Sequence, residues 1–241
     1  GKSRARTQLK SLSLPNNFLG DDLVSFICTD VLSKLEALEE INLSTNKMTD
    51  ISVQCFFQFV VKNNSRLRTL IINTAKIRAV ETCQVMAECV SSCHNLTAIS
   101  IKRCGIDFDL FKQLLNPSKT EKTGSGNEGK ITFIPARLTK LELGSNQIGN
   151  KGLKYFKDFL IFSLLNRSHL RELSLYDIGI TGEQSVVDLR DMVNDSFPHL
   201  QLLNVEGNMF DGIETMVLHS FLAKINDACK RSVKLTLKPI F

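Results

Sequence analysis

The chain has 241 residues, of which 43% are hydrophobic and 23% are charged. These fractions are those of an ordinary globular protein and exclude collagen-like and strongly disordered chains. The chain contains no apolar run of roughly 18 residues that would predict a membrane-spanning helix. The net charge of +5 comes from 30 Lys and Arg against 25 Asp and Glu. Because no concentrated basic stripe is present, we expect no nucleic acid among the partners.

Cysteines are numerous, and none of them forms a C-x-x-C pair. Cys89 and Cys93 lie four residues apart next to His94, but no second cluster supplies the other ligands of a structural metal site. We therefore predict no metal, no cofactor and mostly buried thiols that act as small hydrophobic groups. Reduced thiols favour a cytoplasmic location. The seven cysteines are Cys28, Cys55, Cys83, Cys89, Cys93, Cys104 and Cys229.

One pattern, L-x-x-L-x-L-x-x-N, recurs along nearly the whole chain. Successive copies begin 29, 29, 29, 42, 32 and 30 residues apart, which is far too regular for chance. Within each copy the alternating L-x-L segment predicts a short strand with its apolar side facing inward. The copies begin at Leu9, Leu38, Leu67, Leu96, Leu138, Leu170 and Leu200, and a partial copy follows at Leu235 and Leu237.

The last position of the motif predicts how the chain turns after each strand. An asparagine amide there can bond with backbone groups along the stack of turns, and Cys104 can take the same role. Ala75 and Ile178 cannot make these bonds, so we predict looser turns in their repeats. The motif asparagines are Asn17, Asn46, Asn146 and Asn208.

Apolar residues at helical spacing follow the turns and predict one helix per repeat in residues 51–62, 80–91, 152–162 and 215–225. The step of 42 contains about 13 extra residues, within 116–133. Pro117 ends the preceding helix, and the polar, glycine-rich residues after it predict a flexible surface insertion. A loop that contacts a partner is the alternative interpretation of this segment.

The repeats resemble those of leucine-rich repeat proteins of the ribonuclease-inhibitor-like class, whose repeats have 28 or 29 residues. The resemblance extends over roughly residues 7–238. It implies an α/β solenoid, a horseshoe arc of about seven to eight repeats, with a parallel sheet on the concave face and helices on the convex face. We accordingly expect residues 1–241 to form a single domain, because neighbouring repeats bury each other's apolar sides.

The resemblance places the binding surface on the concave face, on the residues that flank the inward leucines. Lys102, Arg103 and Lys140 form a basic half, which acidic residues follow along the chain. Two halves of opposite charge could orient a partner, and tyrosine and arginine are frequent at the centres of protein interfaces. The candidate partner-binding residues are Lys102, Arg103, Lys140, Glu142, Glu172, Tyr176, Asp177 and Glu206.

No catalytic triad, phosphate-binding loop or metalloprotease motif occurs in the sequence. We therefore predict a non-enzymatic module that binds a partner protein. The alternatives that the resemblance leaves open are a regulator similar to the GTPase-activating protein of Ran, an actin regulator and a pathogen effector. For the GTPase regulator, Arg103 and Asn146 would be the candidates by position alone.

Overall fold

The computed structural model describes residues 8–61, 66–116, 134–135, 137–162, 169–229 and 233–236. Three-residue strands alternate with helices throughout. The strands are β1 Ser11–Ser13, β2 Glu40–Asn42, β3 Thr69–Ile71, β4 Ala98–Ser100, β5 Lys140–Glu142, β6 Glu172–Ser174, β7 Leu202–Asn204 and β8 Lys234–Thr236. The helices are α1 Asp21–Phe26, α2 Asp50–Phe56, α3 Val80–Ser91, α4 Phe108–Leu115, α5 Gly149–Phe162, α6 Glu183–Ser196 and α7 Gly212–Cys229.

The eight strands form one parallel sheet in chain order. Each strand therefore pairs with the strand of the next repeat, and a helix lies in every connection. The central residue of each strand pairs in register with the next central residue, as Ile41 does with Leu70 and Leu70 with Ile99. These central side chains are buried in β2 to β7. The predicted α/β leucine-rich repeat solenoid is confirmed, with seven helices and eight strands in the described residues.

The helices pack against the apolar side of the sheet, and the core lies between the two layers. Helix α4 is amphipathic, with Leu110, Phe111 and Leu114 buried. It begins at Asp107, whose carboxylate accepts a hydrogen bond from the Leu110 amide at 3.0 Å. Phe111 meets Phe156 of the next helix edge to face at 5.7 Å. The apolar side chains of each repeat are thus covered by side chains of the neighbouring repeat. Helices α1 and α2 continue as π-helical turns, Ile27–Val31 and Phe57–Val61.

Three of the four motif asparagines bond along the stack of turns as predicted, whereas the side chain of Asn17 donates to the Pro15 carbonyl of its own turn. The amide of Asn146 donates to the carbonyls of Ile101 at 2.8 Å and Leu143 at 2.7 Å. Its carbonyl accepts from the amides of Cys104 at 2.9 Å and Ile106 at 3.2 Å. Equivalent bonds surround Asn46 and Asn208. Each of these three side chains satisfies buried backbone groups of two repeats.

Cys104 takes the asparagine position in its repeat, as the sequence predicts. Its thiol donates to the carbonyl of Ile72 at 3.4 Å, which is the bond that Asn46 makes to Leu14. The side chain is fully buried, and burial raises the pKa of the Cys104 thiol to about 12. The sulfur therefore stays protonated and keeps its donor. Ala75 and Ile178 fill the same position as buried apolar side chains, and the predicted looseness of their turns stays a prediction.

A second set of polar links, which the sequence reasoning missed, joins the helix starts. The carboxylate of Asp21 accepts from the amide and hydroxyl of Thr49 at 2.8 and 2.6 Å and from the hydroxyl of Ser52. Asp50 binds the next repeat in the same way, through the Ala79 amide at 3.1 Å and the Thr82 hydroxyl at 2.7 Å. Each carboxylate therefore holds the first turn of the following helix.

The described residues contain no helix that is long and apolar enough to cross a membrane. Within the same residues, no three His, Cys, Asp or Glu side chains are grouped so that they could hold a metal ion. The predicted insertion at 116–133 lies outside the described residues except for Asn116, which follows helix α4.

Candidate partner-binding surface

The solvent side of the sheet, here called the concave face, is built from four periodic rows of side chains. Two rows come from the outward residues of each strand and one from the second residue after it. The fourth row lies at the turn, where the backbone adopts the left-handed conformation in seven successive repeats. Its members are Asn16, Thr45, Thr74, Arg103, Ser145, Asp177 and Gly207.

The left-handed turn fixes where each side chain of the fourth row leaves the backbone. The Arg103 amide donates to the Gly144 carbonyl at 2.9 Å, and the Asp177 amide donates to Glu206 at 2.9 Å. The parallel hydrogen-bond ladder therefore continues beyond the strands into the turns. A left-handed non-glycine residue costs about 1 kcal/mol or more, and the regular ladder stabilises this conformation.

Charged side chains in the middle of the concave face form one connected network. Lys140 lies between Glu142 and Glu172, at 3.4 and 3.1 Å. Lys102 approaches Glu142 from the preceding repeat, at 3.2 Å. The expectation of separate basic and acidic halves is therefore wrong for these four residues. Because neighbouring strands lie only about 5 Å apart, opposite charges on adjacent repeats meet and pair.

The network keeps both kinds of group charged. Partial burial would raise the pKa of Glu142, but the Ser100 hydroxyl and the ammonium groups of Lys102 and Lys140 outweigh it and lower that pKa. Burial likewise opposes the charge of Lys140, whereas the carboxylates of Glu172 and Glu142 raise its pKa overall. Most of the charge in this network is thus balanced inside the protein.

A recess of about 340 Å³ opens beside this network. It spans five repeats, from β3 to β7, and only a few of its lining side chains are charged. The recess is lined by Asn73, Thr74, Lys102, Arg103, Glu142, Ser145, Ser174, Tyr176 and Asn204.

Tyr176 owes its position in the recess to two glycines. A Cβ atom at Gly144 would come within 3.0 Å of the Tyr176 carbonyl oxygen and 3.2 Å of its Cβ atom. A Cβ atom at Gly207, where φ is +80°, would lie 3.2 Å from the ring of Tyr176 and 3.0 Å from Asp177. The aromatic ring therefore occupies space that larger residues on either side would take. It remains 39% exposed and presents a rigid, amphipathic contact to the solvent.

Arg103 differs from Lys102 and Lys140 in having no ion-pair partner among the described residues. It is exposed, and no described residue accepts an ion pair or side-chain hydrogen bond from it. Its guanidinium carries five N–H donors in a planar fork. Within the described part of the recess, this side chain is the cation that is available to another molecule.

The structure brings four of the eight predicted residues into the recess: Lys102, Arg103, Glu142 and Tyr176. Lys140 and Glu172 adjoin it through ion pairs, whereas Asp177 and Glu206 lie on the concave face outside its lining. The prediction missed a chain of hydrogen bonds along the rim of the recess. In it, the Ser100 hydroxyl donates to the side-chain carbonyl of Asn73 at 2.8 Å, and the backbone amide of Asn73 donates to the Ser44 hydroxyl at 3.1 Å. Ser44 and Asn73 occupy the same repeat position, and this was the signal for the chain in the sequence.

Asn146, the other candidate for a GTPase regulator, is not available at this surface. It is only 2% exposed, and its amide makes the four backbone bonds of the turn ladder. Its role is therefore structural.

Comparison with known proteins identifies one repeat. The family profile described as Leucine Rich repeat matches residues 138–157, which contain β5 and most of α5. An internalin from Listeria monocytogenes is similar in structure, with a TM-score of 0.46 and 16% sequence identity over 96% of this chain. The chain spans 60% of the length of that internalin. The eight parallel strands in chain order, with a helix in every connection, are the evidence for the solenoid architecture.

Proposed function

We propose that the chain is a non-enzymatic module that binds a partner protein through the recess and the surrounding residues of its concave face. The observation that carries this proposal is the recess itself, where exposed Tyr176 and unpaired Arg103 stand on a rigid sheet. Tyrosine and arginine often dominate the energy of protein interfaces. A preformed surface also loses little conformational entropy on binding.

The repeats belong, in this proposal, to the ribonuclease-inhibitor-like class with 28 or 29 residues each. The pairing of Glu40 with Thr69 and of Thr69 with Ala98 supports that length for the early repeats. We further propose that the protein is located in the cytoplasm and that its function involves neither nucleic-acid binding nor membrane insertion. Buried cysteines such as Cys28 and Cys83, which fill the core as reduced thiols, support this location.

Affinity capture from cell lysate, read by quantitative mass spectrometry, tests the proposed function. Three baits are compared: the wild-type chain, a concave variant with Arg103→Ala and Tyr176→Ala, and a convex variant with Lys151→Ala and Lys154→Ala. The four substituted side chains are exposed, so all three baits should have similar melting temperatures. We expect a protein that the wild type and the convex variant retain and the concave variant loses.

A partner that all three baits capture equally, or that only the convex variant loses, would place binding elsewhere and contradict the proposal. Faster formation of phosphate from the GTP bound to a captured GTPase would instead favour a regulator similar to a GTPase-activating protein.

A further inference from the structure

We propose that the recess recognises a carboxylate side chain, an aspartate or glutamate of the partner protein, and that Arg103 is the residue that binds it. This inference rests on the proposed function, because it names the chemistry that the proposed surface selects.

Among the described residues that line it, the recess has one more positive than negative charge. Lys102, Arg103 and Glu142 are the charged residues among those that line it. Glu142 already pairs with Lys102 at 3.2 Å and with Lys140 at 3.4 Å. Among the described residues no carboxylate pairs with Arg103, so one positive charge remains unbalanced. The complement of this charge is an anion supplied by the partner.

The planar guanidinium of Arg103 is suited to binding a carboxylate. A guanidinium binds a carboxylate through two parallel hydrogen bonds, which a lysine ammonium cannot do. The backbone of Arg103 is held at φ 53° by the bond from its amide to Gly144. The side chain therefore starts from a fixed point at the edge of the recess, and less freedom is lost when it binds.

The other lining residues leave room for a side chain of the partner next to its carboxylate. Tyr176 is 39% exposed, and no described residue binds its hydroxyl, which is free to donate a hydrogen bond. Ser145 and Ser174 are small and polar and leave the approach open. A volume of about 340 Å³ lies within the range of about 300–1,000 Å³ that is usual for ligand-binding pockets. This space is enough for a carboxylate side chain and part of its neighbour.

The surroundings of the recess restrict the partner further. Glu172, Asp177 and Glu206 lie on the side of the concave face toward β6 and β7, outside the lining. Glu172 is already neutralised by Lys140, but Asp177 has no ion pair among the described residues, so a second acidic residue of the partner would be repelled beside it. The partner segment should therefore carry a single acidic residue, with neutral or basic neighbours on that side.

A library of random twelve-residue peptides displayed on phage, selected against the chain, tests this inference. We expect the enriched peptides to share one Asp or Glu at a fixed position. Their affinity should fall at least tenfold for Arg103→Gln. The matched control Arg78→Gln, an exposed arginine before helix α3, should leave the affinity unchanged. A repeated selection against Arg103→Glu should yield Lys or Arg at the fixed position.

Peptides without a shared acidic residue, or equal affinity for wild type and Arg103→Gln, would overturn the inference. If such peptides still lose affinity with Tyr176→Ala, the proposed function survives and the carboxylate assignment alone fails. If no peptide is enriched, or if binding depends on neither Arg103 nor Tyr176, both fail. Circular dichroism and melting temperatures of the variants verify that each is folded.

Discussion

At the scale of single residues, the motif asparagine shows how one side chain stabilises two repeats. Asn146 is 2% exposed and satisfies two amides and two carbonyls of the backbone. Buried polar groups that lose their partners cost about 1–3 kcal/mol each. The same residue type at the first repeat, Asn17, is exposed and donates only to the Pro15 carbonyl at 3.0 Å. The position of an asparagine in the stack, and not its residue type alone, therefore decides how much it stabilises the fold.

We predict that Asn146→Ala lowers the free energy of unfolding by about 3 kcal/mol or more, because four buried backbone groups lose their partner at once. Asn17→Ala should change it by less than about 0.5 kcal/mol, as expected for an exposed side chain. Chemical denaturation of both variants measures the difference. Equal effects of the two substitutions would show that the ladder of turns does not stabilise the fold.

Thiol reactivity is a second property of single residues. Burial raises the pKa of Cys28, Cys83 and Cys104 to about 12 and that of Cys93 to about 11. Since the thiolate is the reactive form, these four thiols should resist iodoacetamide at pH 8 in the folded protein. Cys55 is half-buried and should react first among the cysteines whose side chains the structure describes, which are those from Cys28 to Cys104. Peptide mapping after brief labelling measures the order, and early modification of Cys104 would contradict it.

At the scale of secondary-structure elements, carboxylates link the helices of neighbouring repeats. Asp21 at the start of α1 binds Thr49 and Ser52 at the start of α2. Partial burial opposes the ionised form, but these hydrogen bonds outweigh it, and the pKa of Asp21 is lower in the folded chain than its ordinary value. The ionised carboxylate is therefore the form that stabilises the fold.

Because its folded pKa is depressed, Asp21 stabilises the protein above the ordinary carboxyl pKa, and this contribution is lost as the pH falls through the folded pKa. We predict that Asp21→Asn lowers the melting temperature clearly at pH 7. At pH 3, below the ordinary carboxyl pKa, the gap between variant and wild type should be smaller, because the unfolded chain then binds a proton at this carboxyl that the folded chain binds only at lower pH. A gap of the same size at both pH values would mean that charge has no part in this link.

Helices α5 and α6 are joined by a nearly buried ion pair between Lys157 and Asp188. The side chains are 15% and 4% exposed, and the bond to Asp188 raises the pKa of Lys157. We predict that Lys157→Met costs roughly 3 kcal/mol of unfolding free energy, because it leaves a buried carboxylate without its cation. The double variant Lys157→Met with Asp188→Leu should recover most of this loss. Denaturation midpoints test both statements, and a harmless single variant would contradict the first.

At the scale of the whole molecule, the sequence predicts the fold well because the fold repeats. Leucines at fixed spacing must face one core, so Leu141 and Leu173 could be assigned to paired strands from their positions alone. The same register places Lys140 opposite Glu172 in the neighbouring strand, although the ion pair between them was not predicted. The links from Asp21 to Thr49 were missed, because their signal in the sequence is limited to Asp21 and Asp50 at equivalent positions of two successive repeats.

The shape of the candidate site was less predictable than its position. Periodicity places Lys102, Glu142 and Tyr176 on the concave face, but it does not say which charges pair internally. That distinction depends on side-chain lengths across two repeats, and it separates paired Lys102 from unpaired Arg103. The position of Tyr176 depends on the absence of a side chain at Gly144, and the close approach of these two residues is visible only in the packed structure.

The central claim is that a partner protein covers the concave face, and hydroxyl-radical footprinting of the complex tests it most directly. Tyr176 is 39% exposed on that face, whereas Met216 on helix α7 is 72% exposed and Phe18 in the first repeat is 72% exposed. The account predicts that the captured partner slows oxidation of Tyr176 severalfold and leaves Met216 and Phe18 unchanged. Protection of Met216 or Phe18 with Tyr176 still fully reactive would contradict it.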